Sequence, residues 1–319
     1  MSAKVQGLSL QDTIEEYLEY LTVERQVSPY TIRNYRFYLT AFDTWLANHY
    51  PGTDVEALTP KLLKTYRLYL ARVKSDKGAY LSPATQGYYV IALRSYLRYL
   101  LRNDYEVVSP DRLELPKGKE HSLKFLDYNH VMSMIEKADV TTIAGLRDRT
   151  IMEVLFSTGL RVSELTSLNK STINLESREF GVVGKGRKVR VVFLSSRAAE
   201  WIEKYLRARD DQHEPLFIRH GGAKVAIDEP KAGDRLRLTT RSVQRIISKY
   251  GRLAHLPFEV TPHVMRHSFA TDLLSHGAGL REVQEMLGHK NIATTQIYTH
   301  VTNPQLHGVH EKYHSGNER

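Results

Sequence analysis

Between Thr261 and His300 the chain spaces out His263, Arg266, His289 and Tyr298 within forty residues, four side chains able to bind or transfer charge around a phosphate. Thr261 before Pro262 is a helix entrance, a capping hydroxyl followed by a proline suited to the first turn. His263 and Arg266 stand three apart, so a helix turns both onto one face and lets them converge on one anion. Gly277 to Leu280 breaks that helix. LREVQEMLG starts another, ending at Gly288 just before His289, and Tyr298 follows a short polar stretch, on or near a third helix. With 19 tyrosines in the chain, Tyr298 carries no meaning apart from its surroundings.

The elements that must hold these groups lie upstream. Leu126-Asp127 opens a helix with Asp127 as N-cap, and GLRDRTIMEVLFSTGL (145–160) reads as an apolar helix stopped at Gly159. Arg161 comes directly afterwards, with Glu164 three residues on. Phe180 to Leu194 reads as two strands around a Gly184-Lys185-Gly186-Arg187 turn, where a lysine is ordinarily just solvated. Ser195 to Asp210 is an amphipathic helix with Trp201, Ile202 and Leu206 inward, whereas Glu214 to Leu238 is irregular and reads as a surface insertion. Thr239-Thr240 caps a further helix whose first turns carry Arg241, Gln244 and Arg245. These could reach base edges or phosphates in a major groove, or form a merely solvated face.

The first hundred residues read as four helices, roughly 10–25, 29–49, 60–74 and 83–103, able to bury a small bundle core. Ser28-Pro29, Thr59-Pro60 and Ser82-Pro83 repeat one capping device. Tyrosine and arginine interleave along them, with Arg33, Arg36, Arg94 and Arg98 the candidate phosphate contacts; the alternative is a core-facing tyrosine stripe beside a solvated arginine face. Val108 to Lys124 loses helical periodicity and gathers prolines, glycine and charge, as a linker does. The expected organisation is a helical domain over 1–107, a linker over 108–124 and a second domain over 125–319.

Composition narrows the function. At 319 residues, 25% charged and 41% hydrophobic, the chain is an ordinary globular protein with room for two domains. A net charge of +9 suits a polyanionic partner. The absence of cysteine removes disulfides, thiolate nucleophiles and Cys-based zinc sites. There is no Walker-type loop, no HExxH, no signal peptide and no uncharged apolar run of membrane-spanning length, so a cytoplasmic location without membrane partners is expected.

The run TPHVMRHSFATDLLSHG, VQEMLGH and TTQIYTH, together with TGLRVSEL around Arg161, resembles the tyrosine recombinases, the phage-integrase and Xer group, and is most similar to the Xer branch. Asp272 departs from it, standing where Xer-like chains often have histidine. The resemblance implies a mainly α fold with a small β-sheet: an N-terminal four-helix, SAM-like core-binding domain, then a mixed α/β catalytic domain. It implies that Tyr298 attacks a DNA phosphodiester to form a 3′-phosphotyrosyl bond, with no metal, cofactor or ATP. Arg161 and Arg266 would clamp the non-bridging oxygens, His289 would add a donor, His263 would take the phenol proton and Lys185 would protonate the leaving 5′-hydroxyl. Glu164 would buttress the site; Arg187 and Lys188 lie close enough to Lys185 to compete for its role or to hold phosphates. Implied partners are a double-stranded recombination site, a homotetramer or heterotetramer joined by exchange of the C-terminal tail, and a division-linked DNA translocase. Resolution of chromosome or plasmid dimers is the implied role. A mobile-element integrase or transposase shares the chemistry, a type IB topoisomerase shares the nucleophile, and a catalytically silent DNA-binding regulator is the reading from another class.

Overall fold

The computed structural model describes residues 9–74, 78–115, 124–184, 189–222 and 232–288. The chain forms two compact units, Met1–His121 and Ser122–Arg319.

Among the described residues of the first unit, four α-helices form: α1 (Leu10–Val23), α2 (Pro29–His49), α3 (Pro60–Arg72) and α4 (Pro83–Arg102). Each starts where a hydroxyl can satisfy an orphan amide: Ser9, Ser28, Thr59 and Ser82 accept from Asp12, Thr31, Leu62 and Thr85. The core sets Leu39, Phe42 and Trp45 of α2 against Tyr66 of α3 and Leu93, Tyr96 and Leu97 of α4. Tyr66 and Tyr96 are core residues, while Arg33, Arg36 and Arg98 are exposed. The stretch read as a linker begins against this core, where Pro110 and Leu113 are buried and Asp111 pairs with Arg94 at 2.9 Å.

The second unit holds α5 (Tyr128–Ile135), α6 (Ile143–Thr158), α7 (Val162–Thr166), β1 (Glu179–Val183), β2 (Val189–Phe193) and α8 (Ser196–Ala208). It continues with α9 (Ala232–Leu236), α10 (Thr240–Leu253), α11 (Pro262–Ser275) and α12 (Leu280–Leu287). Helix α6 is buried on nearly every side, packing against α8 and α11, which explains its lack of a polar face. The two strands pair antiparallel, Phe180 with Val192 and Val182 with Arg190, so the period of two turns Phe180, Val182 and Val192 inward. Arg190 shares their parity. No described helix is long and apolar enough to cross a membrane.

Residues 214–222 correct the expectation of a surface insertion. Leu216, Phe217 and Ile218 are core residues, and Leu238 closes over them. A buried loop needs donors for its carbonyls, and arginines supply them. Arg209 reaches Pro215, Leu216 and His213 oxygens at 2.7, 2.9 and 3.1 Å, and Arg147 reaches that of Ile218 at 3.0 Å. Behind the loop His220 Nε2 meets the Tyr205 hydroxyl at 2.9 Å. Burial, then the charges of Arg147 and Arg209, lower the His220 pKa from 6.5 to about 4.

Because the folded value lies below the unfolded one, the unfolded chain binds this proton first as pH falls. The stability His220 contributes is therefore complete above pH 6.5 and drains away toward pH 4. Urea unfolding of the parent is expected to lose on the order of 1–2 kcal/mol more across that interval than His220→Phe does; equal slopes would assign the pH dependence to other groups.

Candidate active site

Helix α6 ends at Gly159 with φ 58°, and a Cβ there would lie 2.3 Å from Phe269 Cδ1 on α11. Left-handed backbone and contact with a neighbouring ring both demand glycine. Gly159→Ala is expected to cost about 3 kcal/mol or more in urea unfolding; a parental midpoint would mean that Phe269 yields freely. The sharp turn sets Arg161 as the extended N-cap residue of α7. Glu164, buried in that helix's first turn, accepts the Arg161 backbone N–H at 2.8 Å and its Nη1 at 2.9 Å. The Arg161 side chain remains 35% exposed.

Thr261 caps α11, with Pro262 in its first turn, and the helix puts His263 and Arg266 on one face. Arg266 is 3% exposed. Its Nη1 donates to the Gly159 carbonyl and its Nη2 to that of Leu287, both at 2.6 Å. One guanidinium thus joins the turn before Arg161 to the last residue of α12. His263 stands at the surface with its ring edge-on to His267, centroids 4.2 Å apart. Burial of its inner side, then the charges of Arg266 and Arg161, hold His263 below its ordinary value, leaving a neutral ring able to accept a proton.

A further residue belongs to this cluster. Arg190, on β2, grips Glu164 with both ends of its fork, Nη1 to Oε1 at 2.9 Å and Nη2 to Oε2 at 2.8 Å, and gives Nε to the Met286 carbonyl at 3.1 Å. Burial pushes the Glu164 carboxyl up, but the hydrogen bonds of Arg190 and Arg161 and the Arg190 charge prevail and hold it at about 2. Gly288, with φ 63°, lies so near this arginine that a Cβ would be 3.0 Å from Arg190 Cδ. The sequence signal was the parity of the strand: an arginine at an inward position between valines requires a buried partner.

The described residues therefore bring Arg161, Glu164, His263 and Arg266 into one cluster, with two cations and a neutral imidazole suited to a phosphate-sized anion. Lys185, Arg187, His289 and Tyr298 lie outside the described residues. Of the groups expected to face a duplex, Arg241, Gln244 and Arg245 are exposed on the first turns of α10. On the first unit Arg33 lies over the Tyr30 ring at 5.5 Å and Arg36 pairs with Glu15. Arg98 lines a cleft of about 270 Å³ with Arg25, Arg102 and tyrosines of α1, α2 and α4. Among the described residues no group of three or more His, Asp or Glu is gathered as for a metal ion.

The sequence profile of the phage integrase family matches residues 124–304, and that of the phage integrase N-terminal SAM-like domain matches residues 14–104. The chain belongs to the phage integrase family and is a tyrosine recombinase, an enzyme of site-specific recombination. It is 35% identical over 302 residues to the tyrosine recombinase XerD of Lacticaseibacillus casei, covering 94% of this chain and 98% of that one. It is 34% identical over 320 residues to the tyrosine recombinase XerC of Myxococcus xanthus, covering 96% and 98%. In fold it resembles the Tn1549 transposon integrase, solved with transposon right end DNA, with a TM-score of 0.70 at 19% identity over 96% of this chain and 99% of that one.

Proposed function

We propose that this recombinase breaks and reseals double-stranded DNA at a specific site through a 3′-phosphotyrosyl bond to Tyr298. The observation that carries the reading is the placing of Arg161 and Arg266 by Glu164, Gly159 and the end of α12, beside a neutral His263. The pentavalent transition state bears more negative charge than the diester, and guanidiniums fixed in advance answer that increase without reorganising. His263 takes the phenol proton, His289 donates to a non-bridging oxygen, and Lys185 protonates the departing 5′-oxygen. Transfer to tyrosine conserves the energy of the diester, so a second 5′-hydroxyl reseals the strand without ATP.

Residues 1–107 serve as the core-binding domain, 108–124 as the linker and 125–319 as the catalytic domain. Arg33, Arg36, Arg94, Arg98, Arg187, Arg241, Gln244 and Arg245 hold the duplex. The enzyme works as a tetramer in the cytoplasm, resolving chromosome or plasmid dimers under a division-linked translocase. The tail carries Leu306, Val309 and Tyr313 at helical spacing. An apolar cleft of about 180 Å³ between Val191, Phe193, Phe269 and Met286 offers such a segment from a neighbouring copy somewhere to dock.

The test is covalent capture. The protein is incubated with a nicked suicide-duplex library, complexes that survive denaturant are isolated, and the attached DNA is sequenced. A single recovered site joined through Tyr298 is expected; no adduct under any condition would favour a silent DNA-binding regulator. A recovered site at a replicon's dimer-resolution locus supports the housekeeping role, and one at element ends supports a mobile-element integrase, whose fold the chain shares with the Tn1549 protein.

A further inference from the structure

Glu164 presents an electrostatic problem that its neighbours solve. Its side chain is 5% exposed, and a carboxylate withdrawn from water must be paired. Arg161 is within its reach, with one N–H already given to it. Left alone with Arg161, the carboxylate would neutralise that cation and compete with a phosphate for its remaining donors. Arg190 stands on the other side, meets both carboxylate oxygens, and is itself only 12% exposed. The three charges then sum to one net positive charge, carried at the more open member, Arg161.

The placement of Arg190 in the chain adds to this. Its strand, β2, begins at Val189, directly after the 185–188 segment that holds Lys185. Its Nε is bound to the Met286 carbonyl, three residues before His289 in sequence. One guanidinium therefore ties the base of the hairpin and the end of α12 to the carboxylate that orients Arg161.

We propose that Arg190 is a positioning residue for strand cleavage: by neutralising Glu164 it keeps the Arg161 guanidinium charged toward, and available to, the scissile phosphate. The role rests on the reading of Arg161 as a phosphate clamp. It predicts a loss specific to the charge of the phosphate, which a packing role would not produce.

The experiment uses the full chain and the duplex recovered by covalent capture, made once with an ordinary scissile phosphate and once with an uncharged methylphosphonate. Arg190→Gln is expected to bind the duplex with parental affinity and to cleave the phosphate about 100-fold more slowly in a single turnover, the scale of a misplaced catalytic group. On the methylphosphonate, which needs no charge neutralised, most of that loss should vanish. Arg190→Lys keeps the cation beside Glu164 but loses the bidentate fork, and should recover about 10-fold of the loss seen in Arg190→Gln; a lysine variant no faster than the glutamine variant overturns the proposal. A folded Arg190→Gln that cleaves at the parental rate, or whose loss persists on the methylphosphonate, overturns the proposal. Should that variant be too unstable to assay, Glu164→Gln combined with Arg190→Gln removes both buried charges and carries the test. It is expected to keep the parental preference for phosphate over methylphosphonate, and a fall in that preference overturns the proposal. Arg161→Ala run alongside separates the two assignments. Its rescue on methylphosphonate without rescue of Arg190→Gln sinks the positioning role alone; no rescue of either sinks the clamp reading, and this proposal with it.

Discussion

Tyr298→Phe is expected to bind the recombination site as the parent does and to form no covalent adduct, with strand cleavage reduced on the order of 10⁴-fold or more. Phenylalanine keeps the ring and removes only the oxygen that would bond to phosphorus, so the change addresses chemistry rather than folding. Three phenols of the first unit are not expected to substitute for Tyr298. Tyr17, Tyr66 and Tyr96 are buried in its core, and burial raises each phenol above its ordinary value, away from ionisation. Tyr205 and Tyr250 are pushed up to about 12 by burial in the second unit, and each is tied to a neighbour, His220 and Asp148. The measurement is a denaturing gel after incubation with a suicide duplex, paired with a native gel shift. An adduct that survives denaturant in the phenylalanine variant would place the nucleophile elsewhere.

What could be read from the sequence was whatever one segment decides by itself. A capping hydroxyl before proline fixes where a helix begins, because the orphan amides need an acceptor and proline needs none. Ser28, Thr59, Ser82 and Thr261 accordingly open α2, α3, α4 and α11 at the expected residues. Gly159 and Gly288 marked helix ends because left-handed backbone favours glycine, and both have positive φ. The sharing of one face by His263 and Arg266 follows from helical pitch alone.

Contacts between distant segments were not legible. Arg209 and Arg147 serve as donors to loop carbonyls at Pro215, Leu216 and Ile218, contacts that neither segment encodes by itself. That role turned an apparent insertion into core. The role of Arg190 is hidden in the sequence for the same reason. Its partners, Glu164 and Met286, lie 26 and 96 residues away. For Arg266 the spacing on the helix was legible, but its burial against two backbone carbonyls was not.

That burial makes Arg266→Ala the change with the second-largest expected effect, because it strikes structure and chemistry together. The side chain is 3% exposed and satisfies the carbonyls of Gly159 and Leu287, each at 2.6 Å. Truncation strands two buried acceptors and opens a void, a loss of about 2–5 kcal/mol in urea unfolding. It also removes one guanidinium from the phosphate site, for which a further fall of about 10³-fold in cleavage is expected. Arg266→Lys divides the two contributions. A single ammonium cannot span both carbonyls as the planar fork does, but it keeps the charge. It should therefore recover less stability than activity: still destabilised by about 1–3 kcal/mol, yet cleaving on the order of 10-fold or more faster than the alanine variant. Single-turnover cleavage and urea midpoints measured on the same preparations decide the matter. If alanine and lysine variants cleave alike while differing in stability, Arg266 is a staple between α6 and α12 and the clamp falls to Arg161 alone. If they unfold alike while differing in cleavage, the two carbonyls have found other donors and the contribution of Arg266 is electrostatic.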